Sequence, residues 1–136
     1  MSTASSAVKL HAPALSLRTV LALDALTSLV MGLLLVATSG LLSGLLDLPR
    51  DFLFMAGICL FPVAALVGFT SRTGREKNPP ALLAWIIILG NLAWFIASVL
   101  TMEVWFEPSL PGLVFVSVQA LVVLAFTVLE YRGLRS

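Results

Sequence analysis

Polar side chains within otherwise apolar stretches are the residues of this chain whose types and spacing could do chemistry. Asp24 interrupts the first apolar stretch, and Asn91, Trp94 and Ser98 follow one another at intervals of three and four in a later one. Residues at such intervals share one face of a helix. An ionisable group is costly to bury in an apolar helix, so Asp24 is a candidate proton or cation site.

The last apolar stretch carries a second polar stripe, in which Gln119, Thr127 and Glu130 lie with Val123 at spacings of four, four and three. The predicted intramembrane polar cluster is Asp24, Ser28, Asn91, Trp94, Ser98, Gln119 and Thr127. Two interpretations stay open. Either these side chains fix the register of the helices by hydrogen bonds, or Asp24 binds a proton or cation.

Other chemistry has little support in the sequence. His11 is the only histidine and Cys59 the only cysteine, so no cluster of metal-ligand spacing and no axial pair for haem is present. We also find no catalytic triad, phosphate loop or dinucleotide motif. The sequence therefore predicts no enzyme activity, no metal and no cofactor, and it predicts Cys59 to be a small core residue.

Composition predicts an integral membrane protein. Among the 136 residues, 60% are hydrophobic and 11% are charged, and the mean hydropathy is +1.07. A soluble domain of this length could not bury so much apolar surface, whereas a bilayer needs spans of about 20 apolar residues. The net charge of +1 is too small to favour nucleic-acid binding.

Four spans are predicted, at about residues 19–39, 52–71, 80–102 and 112–131. They form one all-α transmembrane four-helix bundle, residues 18–132, between a disordered tail at 1–17 and a short tail at 133–136. An uncleaved first span is favoured over a signal peptide, because its apolar run of about 20 residues exceeds the usual 7 to 15.

Orientation follows from the basic residues, which stay on the cytoplasmic side of the inner (plasma) membrane. Arg50 alone lies on the opposite side. The other basic residues are in the two tails and in the loop between spans two and three, and are Lys9, Arg18, Arg72, Arg75, Lys77, Arg132 and Arg135. Both termini are therefore predicted to be cytoplasmic.

The segment after the first span cannot continue straight, because a helix over residues 19–47 would be about 43 Å long against a core of about 30 Å. It either projects outward or bends, and its leucines favour a short interfacial segment ended by Pro49. Gly40 and Gly44 match the small-residue dimerisation pattern, so a homo-oligomer or a membrane-protein partner is a further hypothesis beside the lipid bilayer itself.

Small residues at helical spacing predict close helix packing. The predicted packing glycines are Gly32, Gly40 and Gly44 on the first span and Gly57 and Gly68 on the second. Pro62 predicts a bend in the second span, which serves either as a gating hinge or as a packing kink. Asn78 is predicted to cap the third helix, with Pro79 and Pro80 in its first turn.

Counting about 1.5 Å per residue from each cytoplasmic end predicts two polar levels. Asp24, Thr127 and Tyr131 form the inner level, with Asp24 about 9 Å and Thr127 about 7.5 Å deep. The central level, at about 15 to 20 Å, contains Ser28, Asn91, Gln119 and Trp94.

The acidic residue early in span one, the Gly-Asn-Leu-x-Trp run at residues 90–94 and the Arg-Gly-Leu-Arg tail resemble small, largely uncharacterised four-span bacterial inner-membrane proteins, some of them DoxX-like. No specific motif is shared, so no functional residue carries over. The leading hypothesis is a non-enzymatic accessory, assembly or self-associating unit. The alternative is a small proton-coupled transporter or channel component with Asp24 as the coupling carboxylate.

Overall fold

Four long helices make up the computed structural model, which describes residues 16–73 and 79–135. They are α1 (Leu17–Leu46), α2 (Arg50–Arg72), α3 (Ala81–Leu100), which continues as a π-helical turn over Thr101–Trp105, and α4 (Leu110–Arg135). All four are long and apolar enough to cross a membrane. The described residues contain no strand, and the predicted all-α membrane four-helix bundle is confirmed.

Helix α1 begins two residues earlier than predicted and changes direction near its far end. Its first turn is capped by Ser16, whose Oγ accepts a hydrogen bond from the Thr19 backbone N–H at 3.1 Å. Thr38 has non-helical angles, φ −120° and ψ 21°, and separates the last turns from the rest of the helix. Asp47 then adopts the left-handed conformation, φ 55°, and ends the helix. The chain thus bends where the length argument requires it.

The helices pair as two hairpins. Helix α1 packs along α2 and α3 packs along α4, while contact between α1 and α4 joins the pairs and α2 meets α3 at few positions. At the crossing of α1 and α2, a Cβ on Gly57 would lie 2.9 Å from the Leu35 Cβ and 3.0 Å from the Gly32 carbonyl oxygen. The two backbones approach this closely only because both Gly32 and Gly57 lack a side chain.

The other predicted packing glycines are less crowded. A Cβ on Gly68 would make an ordinary contact with Ala25, at 3.7 Å, and one on Gly40 would meet only the Arg50 Nε, at 3.9 Å. No described atom lies within 4 Å of such a Cβ on Gly44. Gly40 and Gly44 therefore take no close part in packing between the helices of this chain.

Helix α1 is tied to α4 at its end. Ser109 donates its backbone N–H to the Leu46 carbonyl at 3.0 Å and its Oγ–H to the Leu45 carbonyl at 2.8 Å. Gly112 lies so close to the Leu46 carbonyl that a Cβ there would collide with it. At the opposite end Gly133 of α4 packs against Leu17. These contacts fix how far α4 is shifted along α1, and so which side chains of the two helices face each other.

Several local expectations differ from the structure. Cys59 is exposed on the bundle surface instead of being a core residue. Pro80 occupies the N-cap position of α3 instead of its first turn, because the helix begins at Ala81. Helix α4 continues to Arg135, so the predicted tail at 133–136 is largely helical.

Some predictions lie outside the described residues. They concern the tail before Ser16, which includes Lys9 and His11, and the loop residues Arg75, Lys77 and Asn78.

Candidate functional site

One amide group joins two buried carboxyl groups at the centre of the site. The Asn91 Nδ2 on α3 donates one hydrogen to the Asp24 Oδ2 on α1 and the other to the Glu130 Oε1 on α4, each at 2.9 Å. Both oxygens bond to the same nitrogen, so they are no farther apart than twice that distance. We call Asp24, Asn91 and Glu130 the carboxyl cluster.

The carboxyl cluster is shielded from solvent. Asp24 is 4%, Asn91 9% and Glu130 0% exposed. The Glu130 Oε2 has no hydrogen-bond partner among the described residues. The Asp24 Oδ1 receives only a long contact, from the Ser28 hydroxyl at 3.4 Å. The cluster therefore has fewer donors than its acceptor oxygens can use, which is unusual for buried polar groups.

A second, neutral network lies between α3 and α4. The Trp94 Nε1–H donates to the Gln119 Oε1 at 3.0 Å, and the Gln119 Nε2 donates to the Ser98 Oγ at 2.7 Å and to the Val116 carbonyl at 3.1 Å. The Ser98 hydroxyl donates to the Trp94 carbonyl at 2.8 Å. Because an indole N–H can only donate, it fixes which way round the Gln119 amide lies. This network satisfies its polar groups completely.

The structure brings together predicted residues that depth counting had separated. Asn91 was assigned to the central level and Asp24 to the inner one, yet they are directly bonded. Counting assumes that helices start at one level and run untilted, and α3 does not fit this assumption. Trp85, more than a turn before Asn91, reaches the Tyr131 ring beside Glu130, with ring centroids 5.8 Å apart.

Thr127 and Tyr131 do not join the carboxyl cluster. The Thr127 hydroxyl donates to the Val123 carbonyl of its own helix at 2.9 Å. The Tyr131 hydroxyl accepts from the Arg135 Nη1 at 2.9 Å, next to a ring contact with Trp85. Thr127 and Tyr131 were therefore grouped with Asp24 by predicted depth alone, and neither is hydrogen-bonded to it.

Glu130 is the member of the carboxyl cluster that the sequence-based cluster omitted. Two residues before Arg132, it counts as only about 3 Å deep, at the water interface. The signal that could have found it is the polar stripe of α4, of which it is the last member. Since α4 extends to Arg135, Glu130 lies further inside the helix than the position of Arg132 suggested.

A partly open cavity of about 510 Å³ adjoins the carboxyl cluster. All four helices line it, and its walls are mainly aliphatic and aromatic. Its polar lining consists of Asp24, Thr27, Ser28, Asn91, Trp94 and Gln119. A smaller cavity of about 280 Å³ lies beside it and shares the side chains of Met31, Trp94, Phe115 and Gln119. The site thus combines a buried acidic group with space for a small molecule.

The carboxyl cluster can hold a proton. Two ionised carboxylates this close repel each other, and burial removes the water that would screen them. A single proton shared by Asp24 and Glu130 removes that repulsion. In the described part of the chain no group of three or more His, Cys, Asp or Glu side chains is placed to hold a metal ion.

Comparison of the chain with protein-family models, with curated proteins and with solved structures finds no match.

Proposed function

We propose that this integral membrane protein is a small proton-coupled transporter or transporter component, in which the carboxyl cluster is the coupling site and the adjoining cavity holds the transported molecule. The observation that carries the proposal is the amide of Asn91, which bridges Asp24 and Glu130 at 2.9 Å on either side. The sequence suggested a transporter with Asp24 alone as the coupling carboxylate, and the proposal now uses Asp24 and Glu130 together.

The cost of burial favours proton chemistry over a purely structural role. A carboxylate at the centre of a membrane helix costs about 2.5 to 3.5 kcal/mol to insert, and a second one beside it adds repulsion. Helix register can be fixed by neutral side chains, as the network of Trp94, Ser98 and Gln119 does in the same bundle. Binding and releasing one proton is a role that two buried carboxyl groups can perform and a neutral network cannot.

Few other ionisable groups lie near the carboxyl cluster along the helices that form and surround it. On the cluster's own helices the nearest in sequence are Arg18 on α1 and Tyr131 and Arg132 on α4. Arg18 donates to the Ser71 carbonyl at 2.8 Å. Helix α3 contains no charged residue between Ala81 and Leu100, and the charged residues of α2 lie at its two ends. The middle parts of α2 and α3 therefore bring no charged side chain to the cluster.

A non-enzymatic accessory or self-associating role is the second candidate. It is favoured by Gly40 and Gly44, which make no close contact with the described residues of other helices and can meet a helix of a second copy or of a membrane-protein partner. Cytoplasmic termini, the bacterial inner membrane and the DoxX-like resemblance remain predictions under either role.

Infrared spectroscopy and proton flux test the proposal. In proteoliposomes with an imposed pH gradient, we expect proton flux that is lost in Asp24→Asn and in Glu130→Gln, because each removes one of the two proton acceptors. We also expect a carboxylic-acid C=O band that appears and disappears with pH in the wild type and whose pH midpoint shifts in both variants, because each variant keeps one buried carboxyl without its partner. Matched controls are Asp51→Asn and Glu103→Gln, which change exposed carboxylates.

The two candidate roles differ in outcome. Flux that persists in both variants, or a wild type without a pH-dependent carboxyl band, contradicts the proposal. If Asp24→Asn and Glu130→Gln only lower the unfolding midpoint and the wild type conducts no protons, the accessory role is supported instead.

A further inference from the structure

We infer that the larger cavity binds a hydrophobic organic amine in its ammonium form, with the ammonium group on the Asp24 Oδ1. The inference rests on the proposed function and deepens it by naming the substrate class.

The cavity has the size and walls for an apolar molecular body. Its volume of about 510 Å³ lies within the range of roughly 300 to 1,000 Å³ that is typical of small-molecule sites. Its walls include the aliphatic side chains of Leu60, Val63 and Val67 of α2 and the aromatic side chains of Phe115 and Phe126 of α4. A ligand that fills this space must therefore carry a hydrocarbon or aromatic body.

The polar side chains of the wall can accept further hydrogen bonds, but each of their N–H and O–H groups already donates to another protein group. Asn91 donates both amide hydrogens to the carboxyls, and Gln119 donates both of its own to Ser98 and Val116. The Trp94 N–H is bonded to Gln119, and the hydroxyls of Thr27 and Ser28 donate to Leu23 and Asp24. A carboxylate or phosphate ligand would find no side-chain donor here, whereas an ammonium group needs none.

Charge also favours a cation. No Lys, Arg or His is among the residues found to line the cavity, so an ionised carboxyl cluster has no positive partner there. The Asp24 Oδ1, with only its 3.4 Å contact to Ser28, retains acceptor capacity, and Asp24 is one of the residues that line the cavity. When an ammonium N–H donates to this oxygen, the shared carboxyl proton leaves to water, and the charge of the site stays the same before and after the exchange.

The bundle offers such a molecule a route from the bilayer. Helices α2 and α3 meet at few positions, and side chains of both line the smaller cavity of about 280 Å³. That cavity shares Met31, Trp94, Phe115 and Gln119 with the larger one. A hydrophobic amine dissolved in the membrane can therefore enter between these two helices without crossing a charged surface.

Fluorescence quenching by matched probes tests the inference. The probes are a bromophenylbutylamine, the bromophenylbutanol of the same shape and the corresponding carboxylic acid, added to the protein in phosphatidylcholine nanodiscs. The background variant Trp85→Phe/Trp105→Phe leaves Trp94, which lines the cavity, as the only tryptophan. Bromine quenches the indole on contact, so quenching reports occupancy of the cavity.

We expect the amine to quench Trp94 at a concentration about tenfold or more below that of the alcohol, because an ionic hydrogen bond replaces a neutral one. The carboxylic acid probe should not displace the amine from the cavity. Asp24→Asn should remove the advantage of the amine and leave quenching by the alcohol unchanged, whereas the control Asp51→Asn should change neither.

A second variant does not touch the carboxyl cluster. Gly90 lines the cavity, and a Cβ there would meet no described atom within 4 Å. Gly90→Leu should therefore fit the helix and fill the cavity, and quenching by amine and alcohol should fall together. Together with the wild-type probe series, this variant tests whether the amine binds in the cavity even if Asp24→Asn does not fold.

Equal quenching by amine and alcohol in the wild type, or an amine advantage that survives Asp24→Asn, overturns the inference. Its failure is separable from failure of the proposed function. A pH-dependent carboxyl band and proton flux without amine preference refute only the ligand class. Amine preference without proton flux refutes proton coupling and leaves the binding site standing.

Discussion

Replacing Asn91 by leucine removes the amide donor that bridges the two carboxyls while keeping a side chain of similar shape. Two hydrogen bonds of 2.9 Å are lost, to the Asp24 Oδ2 and the Glu130 Oε1. Interhelical hydrogen bonds in membranes contribute about 0.6 to 2 kcal/mol each, so we expect the free energy of unfolding to fall by about 1 to 4 kcal/mol.

A triple variant separates the loss of these bonds from the cost of stranding the carboxyls. When Asp24, Asn91 and Glu130 all become leucine, no buried acceptor is left unpaired, and most of the lost stability should return. Replacing a complete buried polar cluster by apolar residues is often neutral or stabilising, whereas removing one partner is not. The assay is reversible unfolding in mixed micelles of increasing sodium dodecyl sulfate content, followed by circular dichroism.

Two results would refute this reasoning. A loss below about 0.5 kcal/mol for Asn91→Leu, the range of an ordinary surface substitution, would mean that the amide does not hold the carboxyls together. A triple variant as unstable as Asn91→Leu would mean that the cluster contributes structural stability. That second result would favour the accessory role over proton coupling.

Two further predictions concern packing and topology. Gly57→Ala should lower the free energy of unfolding by about 1 to 3 kcal/mol, because the new Cβ would lie 2.9 Å from the Leu35 Cβ and 3.0 Å from the Gly32 oxygen. Gly90→Ala, with open space at its Cβ, should raise it by about 0.5 to 1 kcal/mol in the same unfolding assay. Equal effects of the two substitutions would contradict the close helix crossing. A reporter active only in the periplasm, fused after Ser136, should stay silent if the termini are cytoplasmic, and activity there would reverse the assigned orientation.

The number, type and approximate limits of the helices could be predicted from the sequence, because a membrane-spanning helix must satisfy its backbone internally and needs about 20 apolar residues. The close approach of Gly32 and Gly57 could also have been predicted from the sequence. Both stand in rows of small residues, and a helix pair approaches most closely where both partners lack side chains.

Which surface of a helix faces the bundle was harder to predict. Cys59 was expected in the core and is exposed. Lipid tails are as apolar as a protein core, so hydropathy alone does not distinguish a lipid-facing position from a buried one. Only polar residues such as Asn91 indicate the inward face, and α2 has none of them in its middle.

The pairing of the carboxyls could not be predicted for a geometric reason. A shift of one helix along another by a single turn, about 5.4 Å, changes which side chains meet. The contacts that set this shift, such as Ser109 to Leu46 and Gly133 against Leu17, join residues far apart in the sequence. Glu130 was therefore recognisable as a member of a polar stripe but not as the partner of Asp24.

The two-hairpin architecture has a consequence for how the protein is made. Asp24 belongs to the first hairpin, while Asn91 and Glu130 belong to the second, and little besides the contact of α1 with α4 holds the hairpins together. During insertion Asp24 enters the membrane before its partners have been synthesised, and burying it in its neutral form costs less than burying it ionised. The completed cluster exists only after the hairpins have docked, and docking is therefore the step at which Asp24 gains its hydrogen bond to Asn91.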